Sequence, residues 1–481
     1  MYLGIDIGTS GVKSIIMDED GRVVAQATTP LSVSRSKPLW SEQDPQDWWQ
    51  ATSLSIGRLP QEERRNVSAI GLAGQMHGAT ILDAADKPLR PAILWNDGRS
   101  GDACNLLEQA APDLHSIAGN LAMPGFTAPK LLWLRENEPA VFSKTAKVLL
   151  PKDYVRLLMT GAYASDMSDS AGTLWLDVGQ RRWSEALLAA CDLSLHHMPE
   201  LFEGSDVTGA LRANIAAEWG LPAGIPVVGG GGDNAAGAIG IGVFGAGDAF
   251  LSLGTSGVLF SADTEYLPNA KSGVHTFCHA LPGLWHQMSV MLSAASCVDW
   301  AAKLVGRRDA ETLIAETEAA NQFGAGHSLF LPYLSGERTP HNSPHAKGVL
   351  FGLSHDSDAA SVGQAVLEGV ALGFADGLDV LSSGADIQAI NVIGGGSRST
   401  YWGRILSAAL NRPLLYRQNA DVGPALGAAR LAQMGAHGLS KPSFSPPEIE
   451  QEIEPMASDV AYMADQLGRY RKLYQSTQDL F

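Results

Sequence analysis

The pentapeptide Gly-Thr-Ser-Gly-Val occurs twice in this 481-residue chain, as Gly8–Val12 and as Gly254–Val258. Each copy follows an apolar run, Tyr2–Ile7 in one case and Ala249–Leu253 in the other, and precedes a second one, Val12–Met17 or Val258–Phe260. The pattern reads strand, tight turn, strand. Glycine permits positive φ, and such a turn presents backbone N–H groups and hydroxyls that suit phosphate oxygens. One copy stands near the start of each half of the chain. Gly8, Thr9 and Ser10, with Gly254, Thr255 and Ser256, are therefore candidate phosphate ligands on two lobes that grip one nucleotide. Two unrelated hairpin turns are the alternative, and the duplication disfavours it.

The copies are not equivalent. Aligned on Gly8 and Gly254, Asp6 stands opposite Ser252 and Lys13 opposite Leu259. Only the first copy has a carboxylate two residues before the turn, the hard oxygen ligand that a metal or its water shell needs beside phosphates. Lys13 either supplies point charge to a phosphate or is a solvated lysine at a strand edge.

Further along, Gly229-Gly230-Gly231-Gly232-Asp233-Asn234 delivers an acid after a strand and a glycine run. Asp233 can cap a helix, or it can be a general base beside a reacting hydroxyl, with the glycines admitting a ligand to the backbone. Asn234 offers a donor and an acceptor to a polyol. Gly394-Gly395-Gly396-Ser397 repeats the strand-to-glycine-to-helix arrangement, either to seat the flat face of a nucleotide or as a close-packed turn. Met76-His77 and Trp95-Asn96-Asp97-Gly98-Arg99 occupy loops after strand-like runs, and His77 between glycines is placed to touch a sugar. No Gly-Lys-Ser/Thr occurs, so there is no Walker A loop. Gly240–Gly245 fits G-x-G-x-x-G but precedes a strand, so it fails the context of a dinucleotide fingerprint.

These groups need a frame. The length favours at least two domains, and 45% apolar residues with 52 glycines suit an α/β protein with many tight turns. The halves divide as residues 1–246 and 247–481. The pattern predicts strands at Tyr2–Ile7, Val12–Met17, Arg22–Thr29, Ala69–Ala73 and Ile390–Ile393. It predicts helices starting at Asp44-Pro45 and covering Lys130–Glu136, Trp183–Cys191, Ser361–Val380 and Thr400–Leu410, with an acidic and then helical tail. A net charge of −17 without a basic run argues against nucleic acid. The N-terminus lacks a signal-peptide pattern, and no apolar stretch reaches the ~20 residues of a membrane span. The four cysteines show no metal spacing. Reduced thiols, a cytoplasmic location and no membrane partner are expected.

Together these segments resemble the FGGY carbohydrate kinases over essentially the whole chain. Gly125–Asn137 fits the family's first signature throughout. The second, Gly348–Leu353 through Ala365–Glu368, fits except at Ser361, where the family has an acidic, amide or His side chain. Further resemblance is carried by Trp40–Pro45, Gly74–Ala79, Trp95–Arg99, Pro151–Tyr154 and Tyr333–Pro340. Glycerol kinases of the family have Arg-Glu where this chain has Met76-His77. The resemblance implies two ribonuclease-H-like lobes in the actin-like ATPase fold around a central cleft. It implies ATP as co-substrate, Mg²⁺ as cofactor and transfer to O5 of D-xylulose. Asp233 would be the base. Met76, His77, Asp233 and Asn234 would hold the ketose. Asp6, with Asp233, would serve the metal. The two turns would hold phosphates, and Gly394, Gly395, Gly396 and Ser397 the adenosine side. A homodimer is the assembly the family suggests. The rival expectations are another FGGY kinase acting on ribulose, gluconate or a related polyol, and an actin-like ATPase with no sugar substrate.

Overall fold

The computed structural model describes residues 1–325, 328–382, 387–418 and 423–481, apart from the side chain of Ser397. Two sheets of matching strand order organise it. In the first, β1 (Tyr2–Ile7), β2 (Gly11–Met17), β3 (Val23–Pro30), β4 (Ala69–Gly74) and β5 (Pro226–Val228) lie in the order β3-β2-β1-β4-β5. The β1–β2 and β2–β3 pairs are antiparallel, whereas β1–β4 and β4–β5 are parallel. In the second, β6 (Ala249–Leu253), β7 (Gly257–Asp263), β8 (Trp285–Met291), β9 (Ile390–Ile393) and β10 (Leu414–Arg417) lie in the order β8-β7-β6-β9-β10 with the same directions. The repeated pentapeptide is thus the turn of the first hairpin in each of two equivalent sheets.

Local chemistry explains the elements. The core strands are continuous apolar runs because both faces are covered; β4, Ala69–Gly74, is buried at every residue. Asp44 caps the helix Pro45–Gly57, accepting the N–H of Gln46 at 2.9 Å, with Pro45 as the first helical residue. The helix expected over Trp183–Cys191 shrinks to Glu185–Ala189, because Arg182–Trp183 pairs as a strand with Leu176–Asp177. The acidic tail is not simply helical either. Ile449–Ile453 forms an antiparallel edge strand on β10 before the helix Ala457–Thr477. Gly240 and Ile241 end a helix and Gly242 caps it at φ 96°, which again excludes a dinucleotide loop there.

Two helices pack against each other beside the first sheet: α1 (Asp233–Ile241) follows the four glycines, and α3 (Gly423–Ala436) comes from the second half of the chain. A Cβ on Gly427 would stand 1.7 Å from the Ala236 carbonyl oxygen, and one on Gly4 of β1 would stand 1.9 Å from that of Ala425. Only glycine permits this approach. A helix of the second half therefore packs on the sheet of the first. The long helix α2 (Ala359–Leu378) is buried along most of its length in the second core. Ser361, the departure from the second signature, closes a capping box on α2: its N–H and hydroxyl both donate to Asp358 Oδ1, at 2.8 and 2.7 Å. Among the described residues no helix is long and apolar enough to cross a membrane. All four cysteines are buried and free.

Candidate active site

The site is assembled at the carboxyl ends of β1 and β4, where parallel strands deliver loops to one edge. Asp6 is the penultimate residue of β1, opposite Lys13 in the hairpin register. The short strand Gly231–Gly232 runs parallel beside β4, pairing Gly232 with Gly74. This brings Asp233 to the same edge as Asp6. Burial, and then the charge of Asp233, push the Asp6 carboxyl up to about 7, with Lys13 working the other way.

Asp233 does not cap its helix. It is the first helical residue, and Gly232 holds the cap position without a side-chain bond. Instead Asp233 Oδ1 accepts the backbone N–H of Asn234 at 2.7 Å and its Nδ2 at 2.9 Å. That leaves Oδ2 free of these bonds. Burial raises the Asp233 carboxyl to about 6, and the two bonds from Asn234 oppose the rise. A carboxylate poised there accepts a proton efficiently near neutral pH.

The four glycines before it do not open the backbone to a ligand. A Cβ on Gly229, Gly230 or Gly232 would meet, respectively, the Glu203 carbonyl oxygen at 2.4 Å, the Leu72 carbonyl oxygen at 1.8 Å and the Met76 side chain at 2.9 Å. The run is required by packing, and packing is what aims Asp233.

Met76 and His77 follow β4. Met76 is buried beneath Gly172 and Gly232. His77 has φ 69°, in the left-handed region that residues other than glycine seldom adopt. Its carbonyl accepts from the buried Lys130 Nζ at 2.8 Å and from Thr127 Oγ1 at 3.2 Å, which holds that conformation in place. The ring Nδ1 lies 2.6 Å from the Gly172 carbonyl oxygen. Burial pushes the imidazole down to about 3, with that backbone bond resisting. The ring is therefore neutral, Nδ1 is the donor, and Nε2 is an acceptor for a hydroxyl.

The first turn is braced rather than loose. Thr9 Oγ1 donates to Gln75 Oε1 at 2.9 Å and accepts from Trp95 Nε1 at 2.9 Å, while Gln43 Nε2 donates to the Thr9 carbonyl at 2.7 Å. Gly8 N–H donates to the Gly11 carbonyl at 3.0 Å, and Ser10 is exposed. In the second lobe the Gly254 carbonyl accepts from Ala295 N–H at 2.9 Å. The Thr255 carbonyl accepts from Ala294 N–H at 3.0 Å and Ser296 Oγ at 2.8 Å. Thr255 and Ser256 are exposed. Gly394, at φ 95°, abuts this turn: a Cβ there would stand 2.7 Å from the Leu253 carbonyl oxygen. Around Gly395 there is open space, and Gly396 packs on Leu253 and Trp402. The structure thus gathers Asp6, Lys13, Gly8–Ser10, Met76, His77, Asp233 and Asn234 on one sheet edge, and Gly254–Ser256 with Gly394–Gly396 on the other. The backbone of Ser397 continues the same 3-10 turn, and its side chain lies outside the described residues.

A divalent cation fits this edge. Asp6 Oδ1 is buried with no hydrogen-bond partner, and the Asp233 charge already faces Asp6. No group of three His, Cys, Asp or Glu suited to a metal occurs among the described residues. That donor set matches an ion held by phosphates and water with one or two carboxylates.

With the geometry in place, comparison with known proteins decides the family. The N-terminal domain of the FGGY family of carbohydrate kinases matches residues 1–240, and its C-terminal domain matches residues 249–436. The chain belongs to the FGGY family of carbohydrate kinases. It is 55% identical to the xylulose kinase of Escherichia coli, with 99% of each chain covered. The structure matches that of a "xyloylose kinase" from Brucella ovis at TM-score 0.96 and 49% identity over the whole of both chains. It matches the xylulose kinase of Rhodospirillum rubrum at TM-score 0.91 and 28% identity, covering 100% and 99% of the two chains. The two-lobed α/β architecture is that of FGGY sugar kinases, the actin-like ATPase fold. ATP is the co-substrate of a kinase of this family.

The residues that support the site act through partners that no local pattern reveals. Lys130 belongs to the first signature, and Gln43 and Gln75 lie in the segments that carried the resemblance. Their positions were visible, but their partners, distant in sequence, were not. The Trp95–Arg99 loop is largely structural. Arg99 pairs with Asp97 at 2.6 Å and Glu42 at 2.8 Å and stacks under Trp40, while Trp95 reaches the first turn.

The pKa values make a kinetic prediction. Both carboxylates are raised, so each gains its proton as pH falls. kcat/KM for sugar phosphorylation is expected to fall as pH drops from 8 through the region of 7 to 6, steepening when both groups are protonated. A pH–rate profile flat down to pH 5 would show that neither group must be ionised.

Proposed function

We propose that this FGGY kinase phosphorylates D-xylulose at O5, with Asp233 as the general base. The observation that carries the proposal is the Asp233 carboxylate: raised to about 6, fixed through Oδ1 by Asn234, and set at the same edge as Asp6 and the first phosphate turn. As O5 attacks the γ-phosphorus, its proton passes to Asp233. The bond from the γ-phosphorus to the bridging oxygen breaks, and ADP leaves with the electron pair. Such a reaction needs positioning and charge stabilisation more than covalent help. His77 Nε2, an acceptor, orients a second sugar hydroxyl, and Met76 floors the pocket. Gly8–Ser10 and Gly254–Ser256 hold the phosphates, and Gly394–Ser397 the adenosine side. Asp6 and Asp233 would hold Mg²⁺, which supplies neutralisation of phosphate charge. The same reading places the enzyme in the cytoplasm, where its four thiols stay reduced, and a homodimer is the assembly the family resemblance suggests.

A panel of ketoses and polyols in an ADP-release assay tests the substrate. D-Xylulose is expected to give the highest kcat/KM, ahead of ribulose, gluconate and xylitol. A higher value for any of these would overturn the substrate assignment, and ATP turnover indifferent to every sugar would overturn the kinase reading.

A further inference from the structure

The second lobe sends a cation toward the sugar side of the cleft. Arg338 lies in the loop Tyr333–Pro340, and its Nη1 is 3.0 Å from His275 Nε2. Asn120 fixes the proton on that ring. Its Nδ2 donates to the Ala118 and Thr276 carbonyls at 2.8 and 3.0 Å, so its Oδ1, 2.9 Å from His275 Nδ1, can only accept. Nδ1 therefore carries the hydrogen, Nε2 carries the lone pair, and the guanidinium donates to it. The next ring is Phe126, edge-on to both His275 (5.4 Å) and His77 (4.7 Å). Arg338 is thus held one aromatic ring away from a predicted sugar ligand of the other lobe.

No described carboxylate pairs directly with the guanidinium, although the charge of the adjacent Glu337 favours it. The adjacent Glu337 turns its Oε1 back to the N–H groups of Arg338 (2.7 Å) and Leu292 (3.3 Å). Burial pushes that carboxyl up to about 8, with those N–H groups opposing. A partly buried guanidinium bonded to a neutral imidazole is costly unless a ligand completes it. The first-lobe groups at the site complement this donor. His77 Nε2 and Asp233 Oδ2 both accept, which suits hydroxyl protons. A ketose also has one oxygen without a proton.

We propose that Arg338 is a specificity-determining residue that donates to the acceptor-only carbonyl oxygen at C2 of the bound ketose, favouring a ketose over the alditol with the same remaining hydroxyls. His275 is its positioning residue. The inference rests on the ketose reading above and makes the sugar site a product of both lobes. A donor-only group gains little from a hydroxyl that already has other partners. A charge-assisted bond to an acceptor-only carbonyl is lost outright when the guanidinium goes.

Titration calorimetry of D-xylulose and xylitol against the full chain tests this without turnover. Arg338→Met is expected to raise the Kd for D-xylulose by about 10–100-fold. The Kd for xylitol should change less than about threefold, and ATP affinity should be unchanged. Arg338→Lys, which keeps a cation and donors, should recover part of the loss and serves if the Met variant folds poorly. Equal losses for both sugars, or none for either, would overturn the inference while leaving the ketose reading intact. A wild-type chain that binds xylitol as tightly as D-xylulose would overturn both.

Discussion

Replacing Lys152 with Met is expected to lower folding stability by about 3–5 kcal/mol, read as an earlier midpoint in thermal or urea unfolding. Lys152 is fully buried, and its Nζ lies 2.6 Å from Asp153 Oδ1, 2.7 Å from Asp166 Oδ1 and 3.2 Å from Asp169 Oδ2. Arg156 joins the cluster at 3.1 Å from Asp153. Burial works against the lysine's charge, but the three carboxylates outweigh it and hold its pKa above the ordinary value. Burial also raises Asp169 well above the usual carboxylate range, only partly offset by Lys152. A methionine would leave Asp153 paired with Arg156 but take the close cation from Asp166 and Asp169, and their uncompensated charge accounts for the size of the loss.

The damage should reach the active site. Asp166 Oδ2 accepts from Ser168 Oγ at 2.5 Å, and Ser168 Oγ accepts the Gly232 N–H at 3.1 Å. Arg156 Nη2 donates to the Gly229 carbonyl. The cluster is a buttress behind the backbone that presents Asp233. An unfolding midpoint unchanged in Lys152→Met would show that the buried charges contribute nothing to stability.

This cluster also marks the limit of what the sequence makes legible. Apolar runs broken by glycine turns predict the hairpins and central strands closely; Ile390–Ile393 and Thr400–Leu410 have the expected bounds. The duplicated turn correctly points to two equivalent sheets. Elements defined by distant partners are different. The strand Ile449–Ile453 is masked by three intervening polar residues, Glu450, Gln451 and Glu452, which suit a charged, solvated edge as well as a loop. The return of α3 to the first sheet depends on the small faces of Gly4, Gly71 and Gly427, whose neighbours no local pattern reveals.

The site residues follow the same division. Asp6, His77 and Asp233 stand out because an acid or imidazole beside glycine is chemically conspicuous. Lys130, Gln43 and Gln75 act by holding those residues. Arg338 and His275 belong to the other half of the chain, so an expectation that assigns the sugar to the first lobe leaves them out. The glycines before Asp233 carry the reverse lesson: residues that suit a ligand's approach are filled by the protein's own backbone.

The central claim is that Asp233 takes the proton of the sugar hydroxyl. Asp233→Asn keeps the shape and removes the base. It also relieves a carboxyl whose raised pKa makes its ionised form a stability cost at pH 7 and above, so the fold should not weaken. General-base catalysis typically contributes about 10²–10⁴ in rate. The decisive measurement is therefore single-turnover transfer from γ-labelled ATP to D-xylulose, wild type beside Asp233→Asn, at saturating sugar and equal ATP occupancy. The account predicts label at C5 of the sugar in the wild type, and a rate lower by about 10²–10⁴ in the variant when both are saturated with ATP and Mg²⁺. A variant that transfers the label at a rate close to that of the wild type would contradict it.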